Sequence, residues 1–308
     1  MINFTVIIPH KNIPQLLERL VRSIPERDDL EIIVVDDGSS PATVDFAHFP
    51  CSDRTDLKLI RNEESRGAGH ARNCALTRAK GRWVLFADAD DFFNPGFNDF
   101  LTDRLDSDAD IIYFNANSVD TDTLEPSDRT DHLHDFISLY QHDKRQGELA
   151  LRYLFTEPWC KMVKRKLIAD NKIAFEETVI RNDVCYSYLV GHYARTIVVD
   201  DRQLYCVTSR QGSVSRAKGY QASMDELLVY AGWKRFLRDH HIPLELPKFD
   251  FRAYNFARHL YKDNALFRAE YAVMRKAGLS RCYIAGLTAK YLWTAASYKL
   301  QRHNRPNV

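Results

Sequence analysis

Short apolar runs alternate with amphipathic segments along the first part of the chain. The runs are rich in β-branched and aromatic residues and lie at 4–8, 31–35, 57–60, 82–87 and 110–114. Segments with helical spacing of apolar residues lie between several of them, at 15–24, 69–79 and near 96–105. Strands that alternate with helices predict βαβ crossovers. We therefore expect an α/β fold with a Rossmann-like, mostly parallel sheet flanked by helices.

The pattern changes beyond this region, where a polar stretch occupies residues 118–135. Helical spacing returns at 147–155 and 183–194, and two strand-like runs lie at 196–200 and 204–208. After Gly219 the spacing is helical throughout, over 221–240, 250–276 and 281–300. We expect a boundary near residue 220, between an α/β domain at 1–220 and a helical C-terminal region at 221–308.

Composition narrows the functional classes. The chain has 43 Lys and Arg against 42 Asp and Glu, a formal net charge of +1, so no general attraction to nucleic acid is expected. Its six cysteines form no Cys-x-x-Cys pair, as is typical of reduced thiols in a cytosolic protein. Neither a signal-peptide pattern nor an apolar run of about 18 residues is present. We expect a cytoplasmic protein.

Polar residues follow three of the predicted strands at their carboxyl ends. They are Pro9 to Asn12 after the first strand, Asp36 and Asp37 after the second, and Asp88 and Asp90 after the fourth. In open α/β sheets, ligands bind beyond the carboxyl ends of the strands. The sequence therefore predicts a ligand site where these three segments meet.

Asp88 and Asp90 are two residues apart, so in extended chain their side chains lie on the same side. Two such carboxylates suit Mg²⁺ bound together with phosphate oxygens, and Mn²⁺ suits the same ligands. An Asp-x-Asp pair alone is a weak signal, because Asp is common in turns and Asn94-Pro95-Gly96 follows closely. A solvated turn is the alternative interpretation.

The loop at 65–73 supplies both glycines and cations. Gly67 permits close approach of the backbone to a ligand, and Arg66 and Arg72 can direct guanidinium groups at phosphate. An ordinary loop followed by the start of a helix is the alternative.

The order and spacing of these segments resemble glycosyltransferase family 2, the inverting nucleotide-sugar transferases with a GT-A fold. The resemblance is carried by VIIPHKN, EIIVVDDGS, RGAGHARNCALTRAKGRWVLFADADDFF, DADIIYF, PWCKMVKRKLIADNKIAFEETVIRNDVCYSYL and LYCVTSRQGSVS, within residues 4–216. It is strongest to bacterial members that build lipopolysaccharide, capsule or exopolysaccharide.

The resemblance implies a nucleotide site and a metal site. It places Pro9 and Asn12 beside the base, Asp36 and Asp37 on uracil and ribose, Gly67 in the nucleotide site, Arg72 near the diphosphate, Asp88 on the ribose or on the metal through water, and Asp90 as the direct metal ligand. The metal it implies is Mn²⁺ or Mg²⁺.

The resemblance also places a catalytic base at Asp183, within IRNDVCYSY. In an inverting displacement the acceptor hydroxyl attacks the anomeric carbon opposite the leaving diphosphate, and a carboxylate that accepts its proton assists the attack. The alternative is that Asp183 caps a helix or stabilises its first turn, and the two roles are compatible.

Two positions depart from the family's pattern. Lys11 stands where the family usually has an aromatic residue, so stacking on the base is in doubt and contact with phosphate is the alternative. Asn182 stands where the family usually has Glu, which leaves Asp183 as the only carboxylate of that pair.

Three further residues are weaker candidates for the acceptor site or a lid. Trp159 is a candidate for stacking on a sugar, with a core or lid role as the alternative. Lys161 is a candidate for the diphosphate, with a solvated surface position as the alternative. Arg210 lies in a polar segment that either closes over the donor or is an ordinary loop.

The sequence therefore predicts a glycosyltransferase that moves a sugar from a nucleotide-diphosphate donor, with UDP favoured, to a glycan acceptor. We expect the acceptor to be lipid-linked and the pathway to make surface polysaccharide. A catalytically silent nucleotide-sugar-binding subunit and a metal-dependent nucleotidyltransferase are the alternatives. The nucleotidyltransferase is disfavoured because PHKNIPQ, after the first strand, is not a Gly-rich loop.

The C-terminal segment 279–308 is basic and aromatic. It contains no acid, and it combines Arg281, Lys290, Lys299, Arg302 and Arg305 with Tyr283, Tyr291, Trp293 and Tyr298. Such a helix can lie in the headgroup region of an anionic membrane. We predict peripheral contact with the cytosolic face of a membrane, and a terminal helix packed on its own domain is the alternative.

Overall fold

The computed structural model describes residues 1–209 and 219–303. The chain divides into two compact units. The first comprises Met1–Thr178 and continues from Asn182 through the last strand of the sheet. The second comprises Val179–Arg181 and the helices that follow Gly219.

A single mixed sheet forms the centre of the first unit. Its described strands are β1 (Phe4–His10), β2 (Leu30–Asp37), β3 (Leu57–Asn62), β4 (Trp83–Phe86), β5 (Phe92–Phe93), β6 (Ile111–Asp120), β7 (Lys161–Lys164) and β8 (Ile197–Ser209). Their order is β3-β2-β1-β4-β7-β6-β8-β5. Strands β3, β2, β1 and β4 are parallel to one another, as are β6 and β8, whereas β7 and β5 run antiparallel to their neighbours. The carboxyl ends of β2, β1 and β4 therefore meet at one edge.

Helices accompany the sheet along the chain. They are α1 (Pro14–Ser23), α2 (Ala68–Leu76), α3 (Phe97–Arg104), α4 (Asp131–His142), α5 (Lys144–Tyr153), α6 (Arg165–Asp170) and α7 (Val184–Tyr193). The predicted α/β class and the largely parallel sheet are confirmed.

The central strands are covered on both faces. All of β2 and nearly all of β1 is buried, which requires continuous apolar runs instead of an apolar–polar alternation. An aromatic cluster ties α7 to this core: the ring of Phe175 stacks on Tyr186 with centroids 4.2 Å apart, and both rings contact Phe86 edge-on. The start of α7 is thereby fixed beside the end of β4.

The structure corrects one prediction in the first unit. The two strand-like runs at 196–200 and 204–208 form one strand, β8. The register with β6 jumps there, because Phe114 pairs with Asp200 and Asn115 pairs with Gln203. The bulge places Arg202 where its guanidinium binds the carboxylate of Asp200, and this polar interruption resembles a strand end in the sequence.

The second unit is helical in its described part. It contains α8 (Tyr220–Asp239), α9 (Pro247–Lys262), α10 (Asn264–Lys276) and α11 (Arg281–His303). The prediction of one helix over 250–276 is wrong, because the backbone of Asp263 is not helical, with φ −152° and ψ 89°, and its side chain accepts the Leu266 N–H at 3.0 Å as an N-cap. Within residues 1–209 and 219–303, no helix combines the length and apolar character needed to cross a membrane.

Candidate active site

The two acids that end β2 are buried and hydrogen-bonded. Asp37 accepts hydrogen bonds from the Ser65 hydroxyl at 2.6 Å, the Asn62 amide at 3.1 Å, and the backbone N–H groups of Arg66 and Gly67 at 3.0 and 2.8 Å. Burial raises the pKa of Asp37, but these bonds outweigh it and lower the pKa below the usual value. Its ionised carboxylate therefore fixes the loop that leads into α2.

Asp36 is held on the opposite side of the same strand end. Its Oδ2 lies 2.9 Å from His10 Nδ1, and its Oδ1 accepts the Ser39 N–H at 3.0 Å. The Ile13 N–H points at His10 Nε2 at 3.3 Å, so that nitrogen accepts and the ring proton lies on Nδ1, donated to Asp36. Burial opposes ionisation, but these bonds lower the pKa of Asp36 below its usual value.

Asn12 joins the ends of β1 and β2. Its backbone N–H donates to the Ser39 hydroxyl at 2.8 Å, and its side-chain oxygen accepts the Ser40 N–H at 2.8 Å. This pairing holds Asn12 at a φ of 58°, a left-handed conformation that Asn tolerates better than most residues. Pro9, the half-buried penultimate residue of β1, completes this edge.

The three acids after β4 have different surroundings. Asp91 is buried and accepts from the Thr208 N–H at 2.7 Å and the Tyr205 hydroxyl at 2.8 Å. Burial raises the pKa of Asp91 well above its usual range, and Asp90 and Asp88 add to the shift. Asp88 and Asp90 are half-buried, so Asp91 is the structural member of the group.

Arg72 connects three segments of the site. Its guanidinium, on the buried face of α2, donates to Asp88 at 2.6 Å and to the Asn182 side-chain oxygen at 2.8 Å, and it lies over the Phe175 ring. Its Nε is buried and makes no hydrogen bond. One cation therefore holds the end of β4 next to the residue that precedes Asp183.

Asp183 lies at the start of α7 without capping it through its side chain. Its backbone oxygen accepts the Ser187 N–H at 2.9 Å, which begins the helix. Burial raises the pKa of Asp183 to about 6. The negative charges of Glu157 and Asp88 also raise it, whereas the positive charge of Arg72 lowers it. The side-chain cap proposed as an alternative is therefore absent.

The metal assignment depends on the oxygen atoms of Asp88 and Asp90. In the described part of the chain, no group of three or more His, Cys, Asp or Glu side chains is placed to hold a metal ion. Two half-buried carboxylates at a strand end fit a cation that completes its coordination with phosphate oxygens and water, as Mg²⁺ usually does. They do not form a protein-only cage.

The family model described as Glycosyl transferase family 2 matches residues 5–171, more than half of the chain. The chain belongs to glycosyltransferase family 2.

Curated relatives agree with this assignment. The chain is 27% identical over 226 residues to the poly(ribitol-phosphate) beta-N-acetylglucosaminyltransferase TarS of Staphylococcus aureus, covering 69% of this chain and 36% of TarS. It is 29% identical over 185 residues to the succinoglycan biosynthesis protein ExoU of Rhizobium meliloti, covering 56% of this chain and 52% of ExoU. The alignments thus span about half or less of those proteins.

Solved structures show the same fold. TarS 1–349 in complex with UDP-GlcNAc superimposes with a TM-score of 0.69 at 21% identity, covering 100% of this chain and 94% of that one. The mannosyltransferase PcManGT of Pyrobaculum calidifontis, in complex with GDP-Man and Mn²⁺, gives a TM-score of 0.51 at 18% identity, covering 95% and 87%. At these identities the likeness establishes the GT-A fold and not the ligands.

The weaker candidates of this family 2 chain lie in different places. Trp159 is buried and its ring stacks on Tyr205 with centroids 5.9 Å apart, as expected for a residue of the core. Lys161 is 1% exposed, so the solvated alternative is wrong. Lys11 donates to the Ser65 hydroxyl at 2.8 Å. Arg210 lies outside the described residues.

Sequence reasoning missed Tyr205, which positions the acidic segment. Its hydroxyl accepts the Asp88 N–H at 2.9 Å and donates to Asp91. It belongs to β8, more than a hundred positions along the chain, and an isolated tyrosine in an apolar strand carries no signal for such a role.

Proposed function

We propose that this chain is an inverting glycosyltransferase that transfers a sugar from a UDP-sugar to a lipid-linked glycan acceptor in surface polysaccharide biosynthesis. The observation that carries the proposal is Arg72, which binds Asp88 and Asn182 at once. It brings the carboxylates after β4, suited to a metal-bound diphosphate, next to Asp183, a carboxyl whose pKa burial raises to about 6.

The nucleotide half of the site is the edge formed by β1, β2 and the loop into α2. Pro9 and Asn12 border the base, Asp36 and Asp37 hold uracil and ribose, and Gly67 lets the backbone approach the ligand. The UDP-GlcNAc bound to the structurally similar TarS supports a uridine nucleotide. Arg72 would bind the diphosphate, since its buried Nε–H makes no hydrogen bond in the structure.

Asp90 would hold Mn²⁺ or Mg²⁺ directly, and Asp88 would face the ribose or reach the metal through water. A divalent cation there would offset the charge that grows on the leaving diphosphate. Asp183 accepts the proton of the acceptor hydroxyl as that oxygen attacks the anomeric carbon, and the bond to the diphosphate breaks on the opposite face, which inverts the configuration.

Nucleotide-sugar binding is tested by thermal shift. A panel of UDP-, GDP- and dTDP-sugars is applied with and without Mn²⁺, and a UDP-sugar at about 100 times its Kd should stabilise the protein by about 2.7 kcal/mol. Stabilisation by UDP-sugars that depends on Mn²⁺ supports the proposal. No shift with any nucleotide sugar contradicts it, and binding without donor cleavage or transfer indicates a silent binding subunit.

Turnover should depend on pH through Asp183. Burial raises its pKa to about 6, so below that pH the carboxyl is protonated and cannot accept a proton. We expect kcat at saturating donor and metal to fall about tenfold per pH unit below pH 6. The measurement is a pH–rate profile from pH 4.5 to 7.5, with Asp183→Asn as the control whose residual rate lacks this limb. A parent profile flat through pH 5 contradicts the base role.

We further propose that α11 contacts the cytosolic face of an anionic membrane. Its apolar side, with Ile284, Leu287 and Tyr291, is buried within the second unit. Its outward side presents Trp293 at 74% exposure and the exposed Lys290. An exposed tryptophan beside cations suits the headgroup region of anionic lipid. Such contact would bring the site to a lipid-linked acceptor.

Trp293→Ser should reduce co-sedimentation with anionic vesicles at low salt and leave the folded state unchanged, because the side chain is exposed. Leu124→Ser, which removes another exposed apolar side chain in the first unit, is the matched control. A parent that ignores anionic vesicles, or a Trp293→Ser variant that binds them equally well, rules out Trp293 as the membrane contact.

A further inference from the structure

Lys161 is a buried ammonium group that the proposed chemistry does not yet use. It begins β7, in the interior of the sheet, and only 1% of its surface is exposed. Its Nζ donates to the carbonyl oxygens of Phe155, at 2.9 Å, and Glu157, and it lies 3.7 Å from the Phe155 ring centroid. Lysine is almost never fully buried unless paired, because desolvation of the charge is costly. An apolar side chain would fill this position at lower cost.

The partners of Lys161 belong to two segments of the site. Phe155 and Glu157 lie in the loop after α5, whereas Ser187 lies in the second turn of α7, and its hydroxyl is 3.4 Å from Nζ. The same hydroxyl donates to the Glu157 carbonyl at 3.3 Å. The Ser187 N–H in turn donates to the backbone oxygen of Asp183. Lys161 therefore links the 155–157 loop to the helix start that carries Asp183.

The charges around this link are few. Asp183 is faced by Arg72 from α2, Asp88 from the end of β4 and Glu157 from the 155–157 loop. Lys161 is faced by the carboxylates of Glu157 and Asp183 and by the buried thiol of Cys160. Burial lowers the pKa of Lys161 to about 7, although those carboxylates oppose the shift. Since the interaction between two charges is mutual, an ammonium at Lys161 favours ionised Asp183.

We infer that Lys161 is a positioning residue for the transfer reaction: its ammonium holds the 155–157 loop against the first turns of α7, fixes the backbone that carries Asp183, and favours the ionised Asp183 carboxylate. The inference rests on the proposed function, because it assigns Lys161 a role through the catalytic base. Because its Nζ donates to backbone carbonyls in the interior, we assign Lys161 this indirect role in place of contact with the diphosphate. Loss of its proton above neutral pH weakens the charge-assisted hydrogen bonds that hold the 155–157 loop against the start of α7, so the rate acquires an alkaline limb.

The kinetic test compares Lys161→Gln, which keeps hydrogen-bond donors and loses the charge, with Lys161→Arg, which keeps the charge. Lys164→Gln is the control, since Lys164 lies on the same strand and donates instead to the Asp108 carbonyl at 2.6 Å. We expect Lys161→Gln to lower kcat about tenfold or more, to raise the acid-limb pKa by about half a unit, and to leave donor KM within about twofold. Lys161→Arg should recover the rate and lose the alkaline limb. A folded Lys161→Gln with parental kcat and acid limb overturns the inference.

A second measurement covers the case in which these variants do not fold. The lysine side chains are labelled with ¹³C at Cε, and the Lys161 titration is followed by NMR in the parent protein and in Asp183→Asn. Removal of the neighbouring negative charge should lower the Lys161 pKa by about half a unit or more and leave Lys164 unchanged. An unchanged Lys161 titration overturns the inference. Because this measurement needs no activity, the two failures are distinguishable: coupling without sugar transfer rejects the proposed function, whereas transfer without coupling rejects the role of Lys161.

Discussion

Asp183→Asn should lower kcat by about two to four orders of magnitude while donor affinity stays near that of the parent, the usual effect of removing a general base. Asparagine has the same size and hydrogen-bonding capacity but cannot accept a proton at neutral pH. The structure makes the substitution informative, because the Asp183 side chain makes no cap hydrogen bond. The variant should therefore fold normally. Single-turnover rates and donor binding by calorimetry measure the two effects separately.

Asp143→Asn is the matched control for this substitution. Asp143 caps α5 by accepting the Gln146 N–H at 3.1 Å, and asparagine caps helices equally well. Its kinetics should match the parent. An Asp183→Asn variant that transfers sugar at close to the parental rate removes Asp183 from the mechanism, and one that unfolds shows that the residue serves the helix start.

Asp90→Asn should lower transfer by about 10³-fold or more and abolish the metal dependence of donor binding, since a bound cation contributes several kcal/mol to stabilising the leaving group. The local backbone should survive, because the Asp90 carbonyl still accepts from Arg19 and from the Thr208 hydroxyl. Donor affinity is measured with and without Mn²⁺, and transfer is measured across a metal titration.

Asp91→Asn gives the contrasting result. Both oxygens of the Asp91 carboxyl accept hydrogen bonds in the interior, from the Thr208 N–H and the Tyr205 hydroxyl, and asparagine replaces one of these acceptors by a donor. The variant should therefore lose thermal stability and retain Mn²⁺-dependent donor binding. Full activity in Asp90→Asn, or parental activity that is indifferent to a chelator, contradicts the metal site and favours the solvated-turn interpretation of these acids.

The sequence predicted the central strands well because the signal for each of them, an apolar run, lies within the strand itself. Strands covered on both faces need continuous apolar runs, and β1, β2 and β4 each contain one. It did not reveal β7, whose four residues include two lysines and whose place in the sheet depends on pairing with distant strands. The bulge in β8 was missed for the same reason, because it exists only relative to β6.

The same distinction applies to the candidate site: residues within sequence motifs were predicted, and residues whose roles depend on distant segments were not. Motif spacing identified Asp37, Arg72 and Asp88, which the structure connects through hydrogen bonds to neighbouring segments of the site. It could not tell Asp91 from its neighbours, since burial under Tyr205 depends on a strand from the far end of the domain. The burial of Lys161 was equally hidden, because its acceptors are backbone carbonyls, which have no side-chain signature.

The most direct test of the account is the anomeric configuration of the transferred sugar. The protein is incubated with an α-linked UDP-sugar, Mn²⁺ and lipid-linked oligosaccharide, and the new linkage is read from the one-bond and vicinal couplings of its anomeric proton by NMR. Inversion predicts a β-linked product, formed with release of UDP and absent with Asp183→Asn. An α-linked product, or no transfer from any UDP-sugar that binds, contradicts the proposal.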